Sequence, residues 1–268
     1  MSHVARARAG RVALRAFGGL VALWLVAPIL VVVPLSLTGA ASFKFPPSSW
    51  STRWYENLFT DETWLSALGN SLLISGIVVV VATALGTACA VGLEHGRLPG
   101  RAIVRALVLA PMIIPIVIVA VGVYAVFLPW HLVGTRFGFV LAHTALALPF
   151  VVISVSTSLA GFDRRLEHAA ASLGASPWVT FTRVTLPAIA PGMLGGAILA
   201  FITSFDEVVV GLFLSTPGLR TVPVQMFLNV QQIDPTIAAA STLVLAATTA
   251  AIVLTVVFNK SFRDQVAR

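Results

Sequence analysis

The chain has 268 residues, 58% of them hydrophobic and only 10% charged, with a mean hydropathy of +0.96. A soluble domain carries about 25% charged residues, so this composition excludes an ordinary globular enzyme and points to a polytopic membrane protein. The formal net charge of +7 comes from Lys and Arg scattered in short patches between apolar runs, which excludes a continuous nucleic-acid-binding face.

A membrane-spanning helix needs about 20 mostly apolar residues. Six segments meet that demand: 12–37, 69–93, 103–128, 137–160, 190–214 and 237–258. They define a transmembrane region of 12–258 between a tail of 1–11 and a tail of 259–268. The first segment follows the basic run RARAGRVALR. Its apolar part exceeds the roughly 7–15 residues of a signal-peptide core, so it reads as an uncleaved helix. Pro28, Pro34, Pro111, Pro115 and Pro149 fall inside spans. Membrane helices accept such prolines where neighbours satisfy the freed carbonyls.

With the N-terminus inside, thirteen of the 17 Lys and Arg fall on the cytoplasmic side. Lys44, Arg53, Arg136 and Arg220 fall outside. This bias predicts that both termini are cytoplasmic. The arginine clusters need no role beyond setting topology, and contact with anionic membrane lipid is the alternative for the N-terminal ones. The longest outer loop, 40–67, carries Trp50, Trp54, Tyr55 and Trp64. These read as an aromatic belt at the headgroup level, with contact to an external partner as the alternative. His143 lies in the fourth span, where an interhelical hydrogen bond is its expected role. Cys89 is the only cysteine and forms no internal disulfide.

The cytoplasmic loop 161–189 contains LEHAAASLGASPWVTFTRVTLP. Leu, Glu and Ala favour a first short helix. Asp163 is placed to cap its start, with Glu167 complementing the helix dipole. Gly174 suits its C-terminal cap. Ser176-Pro177 opens a second short helix, on which Trp178, Phe181 and Val184 or Thr185 share an apolar face. Leu186-Pro187 is expected to break that helix before the fifth span. The insert therefore reads as a protruding helical hairpin over 163–180. Lying flat on lipid is the competing reading.

These residues resemble the cytoplasmic signature of ABC importer permeases, E-A-A-x3-G-x9-I-x-L-P. The chain carries His168-Ala169-Ala170, then Gly174, then Val184, Leu186 and Pro187 at matching spacing. It departs at the first position, where His168 stands and Glu167 is shifted by one. ITSFDEVVVGLF, LRTVPVQMF, DPTIAAASTL and GNSLLIS are similar to segments of the spermidine/putrescine-type branch. The resemblance implies an all-α type I importer permease with six transmembrane helices, in a bacterial cytoplasmic (inner) membrane. It implies that Glu167, His168, Ala169, Ala170, Gly174, Ala175, Leu186 and Pro187 form a coupling element. Its implied partners are an ABC ATPase dimer, a second permease chain, related rather than identical, and an external solute-binding protein. It implies no cofactor on this chain, with ATP and Mg held by the ATPase.

The sequence carries no phosphate-cradling G-x-x-x-x-G-K-[ST], no H-E-x-x-H, no paired-Cys motif and no G-x-S-x-G elbow. No polar segment exceeds about 30 residues, which leaves no room for a catalytic domain. Asp206 and Glu207 lie inside the fifth apolar run. A charge at mid-membrane costs about 2.5–3.5 kcal/mol on insertion scales, so the pair demands a role. At 1.5 Å per residue Asp206 lies roughly 24 Å along that span, in its outer half. Adjacent helical residues point about 100° apart, so one acid faces a path while the other pairs with a neighbour. Asp206 and Glu207, with Ser204 and Phe205 beside them, are the candidate substrate-path residues, suited to a cation such as a polyamine. Thr203 and Ser204 offer hydroxyls to it, or bond back to their own helix. The alternatives are a proton-coupled secondary transporter using the same acids, and a membrane scaffold.

Overall fold

The computed structural model describes residues 3–96, 99–230 and 234–258. The expected tail 259–268 and Arg97, between the second and third expected spans, lie outside them. Among the described residues the chain is helical, with two isolated bridges and no named strand. It divides into two compact units.

One unit comprises residues 1–61 and 229–249. It holds α1 (His3–Ser36), α2 (Arg53–Thr60) and the start of α12 (Thr236–Phe258). The loop between α1 and α2 is tied by its own polar groups. Trp54 Nε1 donates to the Thr38 carbonyl at 2.7 Å, and the Tyr55 and Ser36 hydroxyls lie 2.7 Å apart. The Arg53 guanidinium stacks 4.1 Å above the Trp54 ring. Asn57 Nδ2 donates to Thr236 Oγ1 at 2.9 Å, joining α2 to the first turn of α12. Asp234 accepts the Thr236 N–H at 2.9 Å, so the DPT run serves as the cap of α12.

The other unit holds α3 (Glu62–His95), α4 (Arg101–Ile113), α5 (Ile116–Phe127), α6 (Arg136–Ala160), α7 (Arg165–Ser172), α8 (Pro177–Thr180), α9 (Leu186–Phe205), α10 (Val209–Leu214) and α11 (Val222–Asn229). Its core is the packing of α3, α6 and α9 around Val151, Val155, Ile74, Val78 and Ile189. Small residues let these helices meet. A Cβ on Gly86 would stand 2.6 Å from Val151 Cγ1, and one on Gly196 would stand 3.0 Å from Val151 Cα. Ser154 Oγ donates to the Gly192 carbonyl at 2.8 Å. Helices in lipid gain little from apolar contact alone, so close backbone approach and hydrogen bonds of this kind hold them.

Four helices are long and apolar enough to cross a bilayer, Val12–Ser36, Glu62–Glu94, Arg136–Ala160 and Pro177–Phe205. α4 and α5 together form a fifth if taken as one span, and the shorter apolar stretch Thr236–Thr249 occupies the sixth expected position.

Four sequence expectations are corrected. The third span is not one continuous helix. Pro115 forces Ile114 into an extended conformation, with ψ 133°, and α4 and α5 meet at 108°. The fifth span also breaks, because α9 ends at Phe205 and α10 begins at Val209. The expected break at Leu186-Pro187 is absent. A π-turn at Phe181–Thr185, closed by the Leu186 N–H on the Phe181 carbonyl, carries the helix from α8 into α9, and Pro187 sits at the first turn of α9. Trp64 is no belt residue, since α3 starts at Glu62 and buries it to 2% exposure.

Candidate functional site

The insert forms from local rules. Asp163 Oδ1 accepts the Arg165 N–H at 2.9 Å and starts α7. α7 then closes on Gly174, which sits at φ +82°. The Gly174 N–H reaches the Ala171 carbonyl and the Ala175 N–H reaches the Ala170 carbonyl, each at 3.0 Å. This paired closure is a Schellman cap, and its left-handed residue favours Gly. Ser176 Oγ accepts the Val179 N–H at 3.4 Å, with Pro177 at the first position of α8.

Glu167 and His168 take opposite environments. The Thr185 hydroxyl donates to Glu167 Oε1 at 2.5 Å, tying α7 to the π-turn that leads into α9. Thr185 is buried, while His168 is exposed. The shifted Glu therefore braces the hairpin internally, and the His faces outward. No sequence signal couples two residues this far apart, and Thr185 was legible only as one edge of an apolar face. Ala169 and Gly174 are exposed, Ala170 and Ala175 are half-buried, and nothing stands within 4 Å of a Cβ placed on Gly174. Leu173 is 89% and Trp178 72% exposed, although Trp178 lies 6.1 Å from the Phe181 ring. The hairpin thus presents small residues together with exposed apolar side chains, Leu166, Leu173, Trp178 and Val179. Leu186 and Pro187 lie at the base, inside the helix rather than at its end.

The acids occupy the break between α9 and α10. Asp206 is the last residue of the α9 turn, with φ −92° and ψ 0°, and is exposed. Glu207 is buried and turns back onto α10. Its Oε1 accepts the N–H groups of Val209 and Val210 at 2.9 and 3.0 Å, and its Oε2 accepts that of Gly211 at 2.8 Å. The carboxylate competes with the α9 carbonyls for these donors, which is why the apolar run does not continue as one helix. The two acids thus differ: Asp206 is exposed, while Glu207 is hydrogen-bonded to its own backbone rather than to a neighbouring helix. Ser204 and Phe205 are buried. Ser204 Oγ lies 3.0 Å from His143 Nδ1, the interhelical contact expected of His143. His143 is fully buried, and its Nε2 lies 3.9 Å from Glu207 Oε2.

Polar residues of α3, of the start of α6 and of the segment leading into α11 are also linked. Arg136 Nε donates to Asn70 Oδ1 and Asn70 Nδ2 donates to the Arg220 carbonyl, each at 3.2 Å. Ser71 Oγ accepts the Val222 N–H at 2.8 Å.

Broken spans, a carboxylate exposed at one break and a short helical hairpin between two apolar helices are features of a multi-span membrane protein. Residues 82–264, more than half of the chain, match the family described as binding-protein-dependent transport system inner membrane component. The chain belongs to that family. It is 35% identical over 232 residues to the putrescine transport system permease protein PotI of Escherichia coli K12, covering 84% of this chain and 82% of that protein. It is 30% identical over 244 residues to the spermidine/putrescine transport system permease protein PotC of Haemophilus influenzae, covering 89% and 93%. It is 30% identical over 205 residues to the putative 2-aminoethylphosphonate transport system permease protein PhnV of Salmonella typhimurium, covering 76% and 77%. The fold matches the crystal structure of a bacterial ABC transporter involved in the import of the acidic polysaccharide alginate. The TM-score is 0.71 at 16% identity, over 98% of this chain and 99% of that one. The chain is thus an inner-membrane permease subunit of an ABC importer, and its relatives are transport permeases rather than enzymes.

Proposed function

We propose that this permease imports a small amine-bearing cation, putrescine or a close analogue, delivered by an external binding protein. The observation that carries the substrate class is Asp206, a single exposed carboxylate at the break of an apolar span. An anion in low dielectric attracts a cation strongly, and adjacent Glu207 is already committed to its own backbone. The names of two of the relatives support the same reading, since putrescine and spermidine are amine cations.

The energy source in this reading is a pair of ATPase chains, which hold the ATP and Mg. The hairpin at 163–180 seats on them with Glu167 as its internal brace. Ala169, Ala170, Gly174 and Ala175 give the ATPase close approach, and Leu186 and Pro187 carry the motion into α9. A second, related permease chain completes the path, and both termini are cytoplasmic. The basic bias of the inner loops supports that orientation. Nucleotide-driven closure of the ATPases moves the hairpin, rocks the spans and opens the path outward, and hydrolysis resets it.

The test is uptake of radiolabelled putrescine into proteoliposomes holding the complete complex and its loaded binding protein. Uptake that requires internal ATP and survives collapse of the proton gradient is the expected result. Uptake that persists without ATP and stops when the gradient collapses overturns the importer reading in favour of proton coupling through the acids. ATP-dependent uptake of a neutral or anionic solute instead overturns the substrate class alone.

A further inference from the structure

Asp206 stands between two anchors that meet on one buried imidazole. Ser204, in the last turn of α9, places its Oγ 3.0 Å from His143 Nδ1. Glu207, which holds the start of α10, places Oε2 3.9 Å from His143 Nε2. The imidazole belongs to α6, so one side chain of a neighbouring helix touches both sides of the break. Its ring is itself held. Phe139, one turn earlier on α6 and also fully buried, meets it edge-on at 5.5 Å between centroids. A buried hydrogen bond inside a packed core is costly to break, because each freed polar group is left without water. The residue between the anchors, Asp206, is the exposed one.

We infer that His143 is a positioning residue for Asp206. It pins the end of α9 through Ser204 and packs against the carboxylate that caps α10. It thereby fixes the backbone at 206–208 and sets the direction in which the Asp206 carboxylate meets the transported cation. The inference rests on the reading of Asp206 as a path residue. Without the imidazole, the apolar run 190–214 relaxes toward the continuous helix its composition favours, and residue 206 turns out of the path.

The test uses the assembled complex in membrane vesicles, with Cys89→Ala as background and Asp206→Cys as reporter. The probe is the cationic thiol reagent ethylammonium methanethiosulfonate. His143→Leu slows labelling of residue 206 by about tenfold, and His143→Asn, which restores a polar atom near Ser204, recovers most of the rate. Ser204→Ala removes the same contact with little change of volume and slows labelling as well, so it carries the test if His143→Leu fails to assemble. Labelling as fast as in the parent, or faster, in His143→Leu or Ser204→Ala overturns the inference. On the Asp206 chain, His143→Leu raises KM for putrescine uptake more than it lowers kcat, and adds little to the effect of Asp206→Asn. Full additivity of the two changes also overturns it. If Asp206→Asn leaves KM untouched, the path reading fails, while the labelling rates still decide whether His143 positions residue 206.

Discussion

The Thr185 hydroxyl donates a 2.5 Å hydrogen bond to the Glu167 carboxylate, joining the first helix of the hairpin at 163–180 to the π-turn that leads into α9. A displacement of α7 therefore reaches α9 through a polar contact as well as through the chain. Thr185→Val keeps the shape and removes the donor. A hydrogen bond to a charged group contributes about 1.5–3 kcal/mol, enough to alter coupling without unfolding the spans. The variant is expected to assemble normally and to lose most stimulation of ATP hydrolysis by loaded binding protein. Full stimulation would show that the contact does not transmit motion.

Gly174 separates backbone strain from surface contact. Its φ of +82° disfavours any side chain, yet nothing stands within 4 Å of an added Cβ. Gly174→Ala should cost about 1–2 kcal/mol of local hairpin stability and retain coupling. Gly174→Asp adds bulk and charge to the same surface and should abolish stimulated ATP hydrolysis in an intact complex. Equal loss in both variants would assign the effect to strain rather than to docking.

The two acids should respond differently to neutralisation. Asp206→Asn keeps volume and removes charge, and uptake of putrescine should fall by at least about tenfold, chiefly through KM. Assembly, read by co-purification of the partner chains, should be unchanged. Unaltered uptake would leave Asp206 without a role in the path.

Glu207 should behave as a structural residue. Glu207→Gln preserves an acceptor at Oε1 for Val209 and Val210 but turns a donor toward the Gly211 N–H. Glu207→Ala leaves all three buried donors unsatisfied, at roughly 1–3 kcal/mol for each such group. Thermal unfolding of the detergent-solubilised complex should rank parent above Gln above Ala. A Glu207→Ala complex as stable as the parent would show that α10 finds other caps.

Packing at Val151 gives a fourth structural test. Gly86→Val drives a side chain into Val151, where the first added carbon already stands 2.6 Å from Cγ1. Overpacking of this kind costs about 1–3 kcal/mol, so the melting temperature should drop. Gly76→Ala, on the same helix with nothing within 4 Å, should leave it unchanged. Equal stability of the two would mean that α3 and α6 do not rely on close approach.

The chain by itself determined what depends on local rules and on solvent. Long apolar runs must be helical in lipid, because every backbone polar group has to be satisfied within its own segment. The positions of α1, α3, α6 and α12 followed from that demand, and so did the helical hairpin. Asp163, Gly174 and Ser176 act on backbone groups within a few residues, so their roles were legible as pattern. The family signature lay in the same stretch.

Tertiary structure decided where the spans break and which acid is displayed. Pro115 carried the signal for the α4–α5 bend, yet a proline alone does not distinguish a tolerated kink from a turn of 108°. The break at Asp206 had no proline at all. It depends on Glu207 folding back onto the donors of α10, where it is buried beside His143. Glu167 found Thr185, and His143 found Ser204 across 61 residues of chain. Such pairings depend on which buried polar groups meet when helices pack, and hydropathy along the chain holds no record of that choice.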